Sequence, residues 1–443
     1  MSDSPFRVRP AANRFVVWIG ALLAAISLAL SLSGCATPSR LPAAPPQVAP
    51  RAEPSVGPLR YLVARDPEPF IEEARASIRK ETAWRASQGL TGPPPPTSLL
   101  AISGGGEDGA YTAGLLNGWT AHGDRPEFRA VTGISTGALI APFAFLGPRY
   151  DHVLREIYTG VSQRDIFRRR NIIAGFFGDA MADTTPLLHL TKRYVDRPLL
   201  DEIAAEYAKG RLLLVGTTNL DTLEPVIWNM TAIAASKDPN ALQLFRKVLL
   251  ASASIPGAFP PVMIDVVVDG VHYQEMHVDG GAMAQVFAYP PSLRLQAEAS
   301  AQGVERERAI YIIRNARLDA DWASVKRRTL SIASRAISSL MQTQGIGDLY
   351  RIFLTTQRDG VAFNLAFIPS SFTMRRREQF DTAYMRGLYQ TGFDLARAGY
   401  PWAHAPPGYE EPWRAMAKKK PAAPAPSPEQ PQPRPREAPP VGR

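Results

Sequence analysis

The run Gly133-Ile134-Ser135-Thr136-Gly137 places a serine between glycines two residues to either side. That spacing allows a turn too tight for Cβ atoms, in which the Ser135 hydroxyl stands clear of a sheet edge at a helix N-terminus. Such a hydroxyl is set up for acyl transfer as a nucleophile. A Gly-rich turn with an ordinary serine cap uses the same letters. The chemistry therefore depends on two partners, a base for the hydroxyl and donors for an oxyanion.

The segment Ser103-Gly104-Gly105-Gly106-Glu107-Asp108-Gly109 is the second chemical element. It contains G-x-G-x-x-G after an apolar strand, the pattern of a dinucleotide site. Glu107 and Asp108 speak against that ligand, because two carboxylates at the positive end of a helix repel a pyrophosphate. The glycines instead suit an oxyanion hole, with the backbone N–H groups of Gly104, Gly105 and Gly106 turned toward one developing negative charge. A plain strand-to-helix turn has the same composition.

Six histidines are candidates for the base. Only His404 follows Asp279 in the order Ser, Asp, His, and it sits among prolines near the tail. Each histidine, His277 included, reads as a surface residue. Asp279-Gly280-Gly281 offers another base. A carboxylate at a strand end, followed by two glycines, can approach a neighbouring turn, and burial raises its pKa toward that of a useful base. A Ser135–Asp279 dyad is then feasible, although Asp-Gly-Gly is also common in ordinary turns.

Together these segments resemble the patatin-like phospholipase family. The resemblance spans Ser98 to Ala284 and rests on four motifs in order: Gly104-Gly105-Gly106, Gly133-x-Ser135-x-Gly137, the run Ala251-Ser252-Ala253-Ser254-Ile255-Pro256-Gly257-Ala258-Phe259-Pro260-Pro261, and Asp279-Gly280-Gly281. It implies Ser135 as nucleophile, Asp279 as its sole catalytic partner, the three-glycine loop as oxyanion hole, and no metal or organic cofactor. One position departs. The family pattern G-G-G-x-[KR]-G has a cation where this chain has Asp108, which is expected to cap its helix or to pair with a nearby arginine.

These side chains need a scaffold. Strand, Gly-rich turn, helix, strand, sharp turn, helix from 98 to 146 is the rhythm of a parallel sheet with crossover helices. The expected fold is α/β, with a central mainly parallel sheet flanked by helices. Further strands are read at Arg211 to Thr217, Val226 to Met230 and Ile310 to Ile313. Val262 to Val268 and Val271 to Val278 read as a hairpin, with Asp269-Gly270 as its type I′ turn. Helices are read at Glu68 to Ser87, Leu199 to Ala208, Asn240 to Ala253, Trp322 to Gln344 and Gln379 to Ala398.

The chain has 443 residues and a formal net charge of +9, with much of the excess near its ends. Basic terminal segments without interleaved aromatics suit anionic lipid better than bases, so no nucleic-acid partner is expected. The only cysteine, Cys35, excludes an intramolecular disulfide and a cysteine metal site. Arg7, Arg9 and Arg14 precede the apolar run Phe15 to Leu32, and Leu32-Ser33-Gly34-Cys35 follows. This layout resembles a bacterial lipoprotein signal, cut before a cysteine that then carries lipid. An uncleaved membrane helix is the alternative, since the run is just long enough to span.

The expected organisation is a signal over 1–34, a lipidated Cys35 with a Pro/Ala-rich tether over 35–59, a helix and Pro-rich linker over 60–97, a catalytic core over 98–290, a strand-and-helix part of the same domain over 291–415, and a basic Pro-rich tail over 416–443. Function is expected to be lipid acyl hydrolysis on membrane lipids, by a protein lipid-anchored in a bacterial envelope. Ala36 after the cysteine favours the outer membrane. Two alternatives are a lipid-tethered structural or binding protein with little turnover and a secreted esterase that uses His277 or His404.

Overall fold

The computed structural model describes residues 39–170, 178–319 and 322–409. Cys35, the expected signal and the expected tail lie outside them. The strands are β1 (Glu53–Pro54), β2 (Arg60–Tyr61), β3 (Thr97–Ile102), β4 (Phe128–Gly133), β5 (Arg168–Arg169), β6 (Ala182–Asp183), β7 (Leu212–Asn219), β8 (Glu224–Asn229), β9 (Val262–Val268), β10 (Val271–Asp279), β11 (Arg308–Arg314) and β12 (Val361–Phe367). The helices used below are α1 (Glu68–Ser87), α2 (Gly109–His122), α3 (Thr136–Leu146), α4 (Asp151–Gly160), α5 (Thr185–Tyr194), α6 (Arg197–Ala208), α7 (Ala241–Ser252), α8 (Leu295–Ala301), α9 (Thr329–Arg358) and α10 (Thr382–Arg397).

Ten strands form one mixed sheet in the order β1-β9-β10-β7-β4-β3-β11-β12, with β8 also pairing β7 and β2 pairing β8. The block β7-β4-β3-β11-β12 is parallel. The hairpin β9–β10 joins it antiparallel through β7. The type I′ turn is present, with Asp269 at φ 50° and Gly270 at φ 79°.

Period-two alternation builds both faces. On β3 and β7, Leu100, Ile102, Leu213 and Val215 join a core with Tyr111, Phe145, Leu154 and Phe245 from α2, α3, α4 and α7. Leu212 and Leu214 turn the other way, onto Phe70 and Ala74 of α1. Because both faces are covered, β7 is buried along its whole length, as its continuous apolar run Leu212 to Val215 requires.

Two expectations change, and one strand is added. Residues 39–59 are not a free tether in the described part: Arg40 pairs with Asp221, Arg51 with Asp269, and β1 adds to the edge of β9. Proline-rich chain is already extended, so little ordering entropy opposes its use as an edge strand. The helix expected over 322–344 starts at Thr329 and continues to Arg358. Gly345 and Gly347 suggest a stop, but Leu349, Ile352 and Phe353 bury against β11 and β12, and that packing outweighs the glycine cost. Strand β12 went unread, since its pairing to β11 is a contact distant in sequence.

Candidate active site

Ser135 follows β4 and precedes α3 with φ 55° and ψ −126°, a left-handed conformation costly for a side-chain-bearing residue. Its flanking glycines make the turn possible. A Cβ on Gly133 would lie 2.4 Å from the Gly137 carbonyl oxygen, and one on Gly137 would lie 2.3 Å from that of Ile102. The Ser135 backbone N–H donates to Ser252 Oγ at 3.0 Å, and Ser252 Oγ donates to the Gly216 carbonyl at 2.7 Å. Ser252 ends α7, inside the small-residue run 251–261. That run was legible as a motif, but its hydroxyl's role was not.

Strand register brings the base across. Gly133 pairs with Val215 on β7, and Thr217, two residues further along, pairs with Asp279 at the end of β10. Strand β8 takes the opposite edge of β7, so β4 and β10 share one edge; Ser135 is likewise two residues beyond Gly133, which puts Ser135 and Asp279 side by side at one level along that edge. The Asp279 carboxylate accepts the Gly281 N–H at 2.7 Å and lies close enough to the Ser135 hydroxyl for that hydroxyl to favour its ionised form. Burial pushes the Asp279 carboxyl up to about 7, against the lowering effect of the Ser135 hydroxyl and the Gly281 N–H. Both residues are nearly enclosed, Ser135 at 7% exposure and Asp279 at 5%.

The three glycines differ. Gly104 N–H donates to the Gln285 carbonyl at 3.0 Å, so it is engaged. Among the described residues, neither Gly105 nor Gly106 N–H donates outside its own short helix, and Gly106 lines the cleft at Ser135. Gly105 has φ 153°, and a Cβ there would lie 2.5 Å from the Asn315 carbonyl oxygen. Asn315 in turn donates from its backbone N–H and side-chain amide to Ser103 Oγ and O, which holds the loop to the end of β11. Gln285 also donates from Nε2 to the Gly281 carbonyl and so ties this loop to the Asp279 turn.

The loop carboxylates point away from the reacting serine. Asp108 occupies the N-cap position of α2 without a side-chain capping bond, contrary to the first option expected for it. Its Oδ1 accepts the Tyr384 hydroxyl at 2.7 Å, and the Arg376 charge is close enough to feel it. Glu107 is buried, pairs with Arg376 and accepts the Phe380 N–H at 3.1 Å. Segment 376–384 thus anchors both carboxylates that follow the glycines. Sequence reading missed this because the partners lie about 270 residues away.

No histidine joins the site. His277 is fully buried rather than on the surface, because β10 turns it inward beneath β7. Its Nε2–H donates to Glu275 and its Nδ1 accepts from Thr217, an assignment set by the network. Burial would raise the Glu275 carboxyl, but hydrogen bonds from His277 and Arg60 and the Arg60 charge hold it down at about 2. Burial lowers His277 despite Glu275, which favours the neutral ring. His404 meets the Phe363 carbonyl at 3.2 Å on β12, three strands from β4.

Ser135 opens into an apolar cleft of about 840 Å³, part of it open to solvent. Gly106 and Thr136 flank the serine, and Phe143, Tyr158, Leu187, Leu249 and Phe259 are among the walls. Thr191 and Tyr194 of α5 show that 150–200, which carried no motif, supplies much of this wall. Among the described residues no group of histidine, cysteine or acidic side chains could hold a metal ion.

No curated protein matches the chain. Among solved structures it is similar to VipD from Legionella pneumophila, at 13% identity and a TM-score of 0.29, covering 69% of this chain and 67% of that one. It is also similar to human GIVD cytosolic phospholipase A2, at 9% identity and a TM-score of 0.30, covering 70% of this chain and 54% of that one. The chain thus spans about half the length of the human enzyme. Residues 100–290 match the Patatin family, described as patatin-like phospholipase. The chain carries, over those residues, a domain of the patatin-like phospholipase family, and with it the lipid acyl hydrolase activity of a carboxylic ester hydrolase.

Proposed function

We propose that Ser135 and Asp279 act as a catalytic dyad that hydrolyses carboxylic esters of membrane lipids. The Asp279 carboxylate takes the proton from Ser135 Oγ as that oxygen bonds to the ester carbonyl carbon. The carbonyl oxygen becomes an oxyanion, received by the N–H groups of Gly105 and Gly106. Collapse of the adduct breaks the ester C–O bond, and protonated Asp279 gives its proton to the leaving alkoxide. Water, deprotonated by Asp279, then releases the carboxylic acid from acyl-Ser135 and restores the hydroxyl.

The observation that supports this most is the juxtaposition of Ser135 with the buried Asp279 carboxylate, set by strand register, at an apolar cleft. A fully buried carboxylate with its pKa near neutrality is a far better match for the serine proton than an ordinary one. The cleft walls suit an acyl chain, and their apolar character favours long chains over short ones. A fluorophosphonate probe tests the reading: wild type labels at Ser135, while Ser135→Ala and Asp279→Asn do not. Labelling that persists in Asp279→Asn at the wild-type rate would remove Asp279 from the mechanism.

The same reading extends to the amino-terminal segment. A lipid on Cys35, followed by a Pro/Ala-rich stretch, anchors the catalytic domain in the bacterial envelope, with the outer membrane favoured by Ala36. Cys35→Ala should then move the protein from the membrane pellet to the soluble fraction.

A further inference from the structure

Among the described residues, the longest helix leaves its first half uncovered. From Thr329 to about Gln342, α9 stands off the body, whereas Leu349, Ile352 and Phe353 further along are buried. A helix in water ordinarily turns charge outward, yet here Ile332 is 54% exposed, Ile337 57% and Leu340 70%. Together with Ala333 and Ala336 they form one stripe, and Ser331, Ser334 and Ser338 fall on the opposite side. Just before the helix, Trp322 is 81% exposed. Isolated exposed apolar residues need no explanation, but a contiguous set on one element marks a surface that meets something.

Charge identifies the occupant. Residues 322–341 contain Lys326, Arg327, Arg328 and Arg335 and no carboxylate. A second basic run, Arg375-Arg376-Arg377, lies in an exposed segment beside an exposed Met374. Arg317 links the elements that carry them: Gln342 Nε2 donates to the Arg317 carbonyl at 3.0 Å, and Arg317 Nη1 donates to the Phe372 carbonyl at 3.0 Å. Exposed apolar side chains, a tryptophan and a local excess of cations over acids are the combination that binds an anionic lipid surface. Among the described residues no helix is long and apolar enough to cross a membrane, so α9 would lie in the interface.

Position links this face to the reaction. Arg314, which ends β11, donates to Gln342 Oε1 at 2.8 Å, so the free half of α9 springs from the carboxyl edge of the parallel block. Ser135 stands on that same edge, at the end of β4. Segment 376–380 runs from the basic cluster to Phe380, which lines the Ser135 cleft, and its Arg376 holds Glu107 of the glycine loop. We propose that the first half of α9, with Trp322 and the 372–377 segment, docks the protein on an anionic lipid surface and sets the mouth of the Ser135 cleft against it. This deepens the lipid-hydrolase reading and rests on it for its purpose, while the docking itself needs no turnover.

The full chain carrying Ser135→Ala, which cannot turn lipid over, reads docking alone. It is mixed with vesicles whose acyl chains are brominated, of phosphatidylcholine alone or with phosphatidylglycerol. Quenching of Trp322 is taken as the difference from the same chain with Trp322→Tyr. We expect Trp322 to be quenched on the phosphatidylglycerol vesicles and roughly tenfold more protein to be needed for that quenching after Lys326→Gln, Arg327→Gln and Arg328→Gln together. No Trp322 quenching on either vesicle overturns the proposal.

In the active chain, Ile337→Ser with Leu340→Ser should lower vesicle-lipid hydrolysis roughly tenfold and leave hydrolysis of a soluble short-chain ester unchanged. Equal loss on both substrates, or none on either, overturns it. A wild-type dimer that these two substitutions convert to monomer overturns it as well, in favour of self-association. A chain that hydrolyses no ester but whose Trp322 is quenched keeps the docking face and defeats the catalytic reading instead.

Discussion

Ser252 Oγ accepts the backbone N–H of Ser135 and donates to the Gly216 carbonyl, at 3.0 and 2.7 Å. One buried hydroxyl thereby joins the end of α7, the nucleophile turn and β7, the strand along whose one edge Ser135 and Asp279 both lie. Ser135 holds a left-handed backbone, and such conformations persist only where their surroundings over-determine them.

Ser252→Ala should therefore affect both stability and chemistry. Two buried partners lose their hydrogen bond, at about 1–3 kcal/mol each if water does not replace it. We expect chemical denaturation to give a lower midpoint with an unchanged slope. We also expect kcat to fall more than KM changes, because the serine is displaced rather than the cleft. Ser252→Thr should keep the hydrogen bonds but crowd the turn, so a kcat as low as that of the alanine variant assigns the effect to packing.

The pH dependence follows from the raised Asp279 pKa. Only the carboxylate accepts the Ser135 proton, so kcat/KM should rise with pH through about 7. Stability moves oppositely. A carboxyl whose folded pKa lies above its unfolded value stabilises the fold below about 4 and loses that contribution as pH rises through about 7. Asp279→Asn should abolish activity and raise Tm by an amount that grows from pH 4 to pH 7 and then levels. The shift from 3.8 to about 7 sets an upper limit of about 4 kcal/mol. Thermal melts across that pH range check the sign.

His277 separates dyad from triad. Its ring sits between Glu275 and Thr217, and Arg60 completes the buried pair with Glu275. His277→Ala leaves polar groups buried without a partner, which should cost roughly 2–4 kcal/mol. Fluorophosphonate labelling of Ser135 should nevertheless persist at temperatures where the variant is folded. His404→Ala should change labelling not at all. Loss of labelling in either folded variant would restore a histidine to the mechanism.

Gly105→Ala tests the oxyanion loop. The new methyl would sit 2.5 Å from the Asn315 carbonyl oxygen at a φ of 153°, so the loop must move. A displaced N–H donor should lower kcat about 100- to 1000-fold, the usual consequence of losing one oxyanion contact. Strain and overpacking should add roughly 2–5 kcal/mol of destabilisation. Gly106 has open space at its Cβ position but φ 59°, so Gly106→Ala should be milder in stability.

The sequence by itself determined the short-range part of this protein. Glycines at 133 and 137 could be read because their requirement is local: no side chain fits so close to the Gly137 and Ile102 carbonyls. Alternating or continuous apolar runs disclosed most strands, and Asp269-Gly270 disclosed the hairpin, since strand period and turn dihedrals are properties of neighbouring residues. The Asp279 assignment came from its strand-end position, with resemblance supplying its role.

Tertiary structure decided what those residues meet. Asp279 reaches Ser135 only through the register of β4, β7 and β10, and its pKa is raised only because the fold removes water. Asp108 looked like a helix cap and instead accepts from Tyr384, because a residue far along the chain outcompetes the local backbone. His277 went from surface to core on the same account. Residues 39–59, the described part of the expected tether over 35–59, looked like tether by composition, yet paired arginines and an available sheet edge gave them a place. Local preferences are written in adjacent residues, whereas burial, register and long-range partners exist only once the whole sheet has closed.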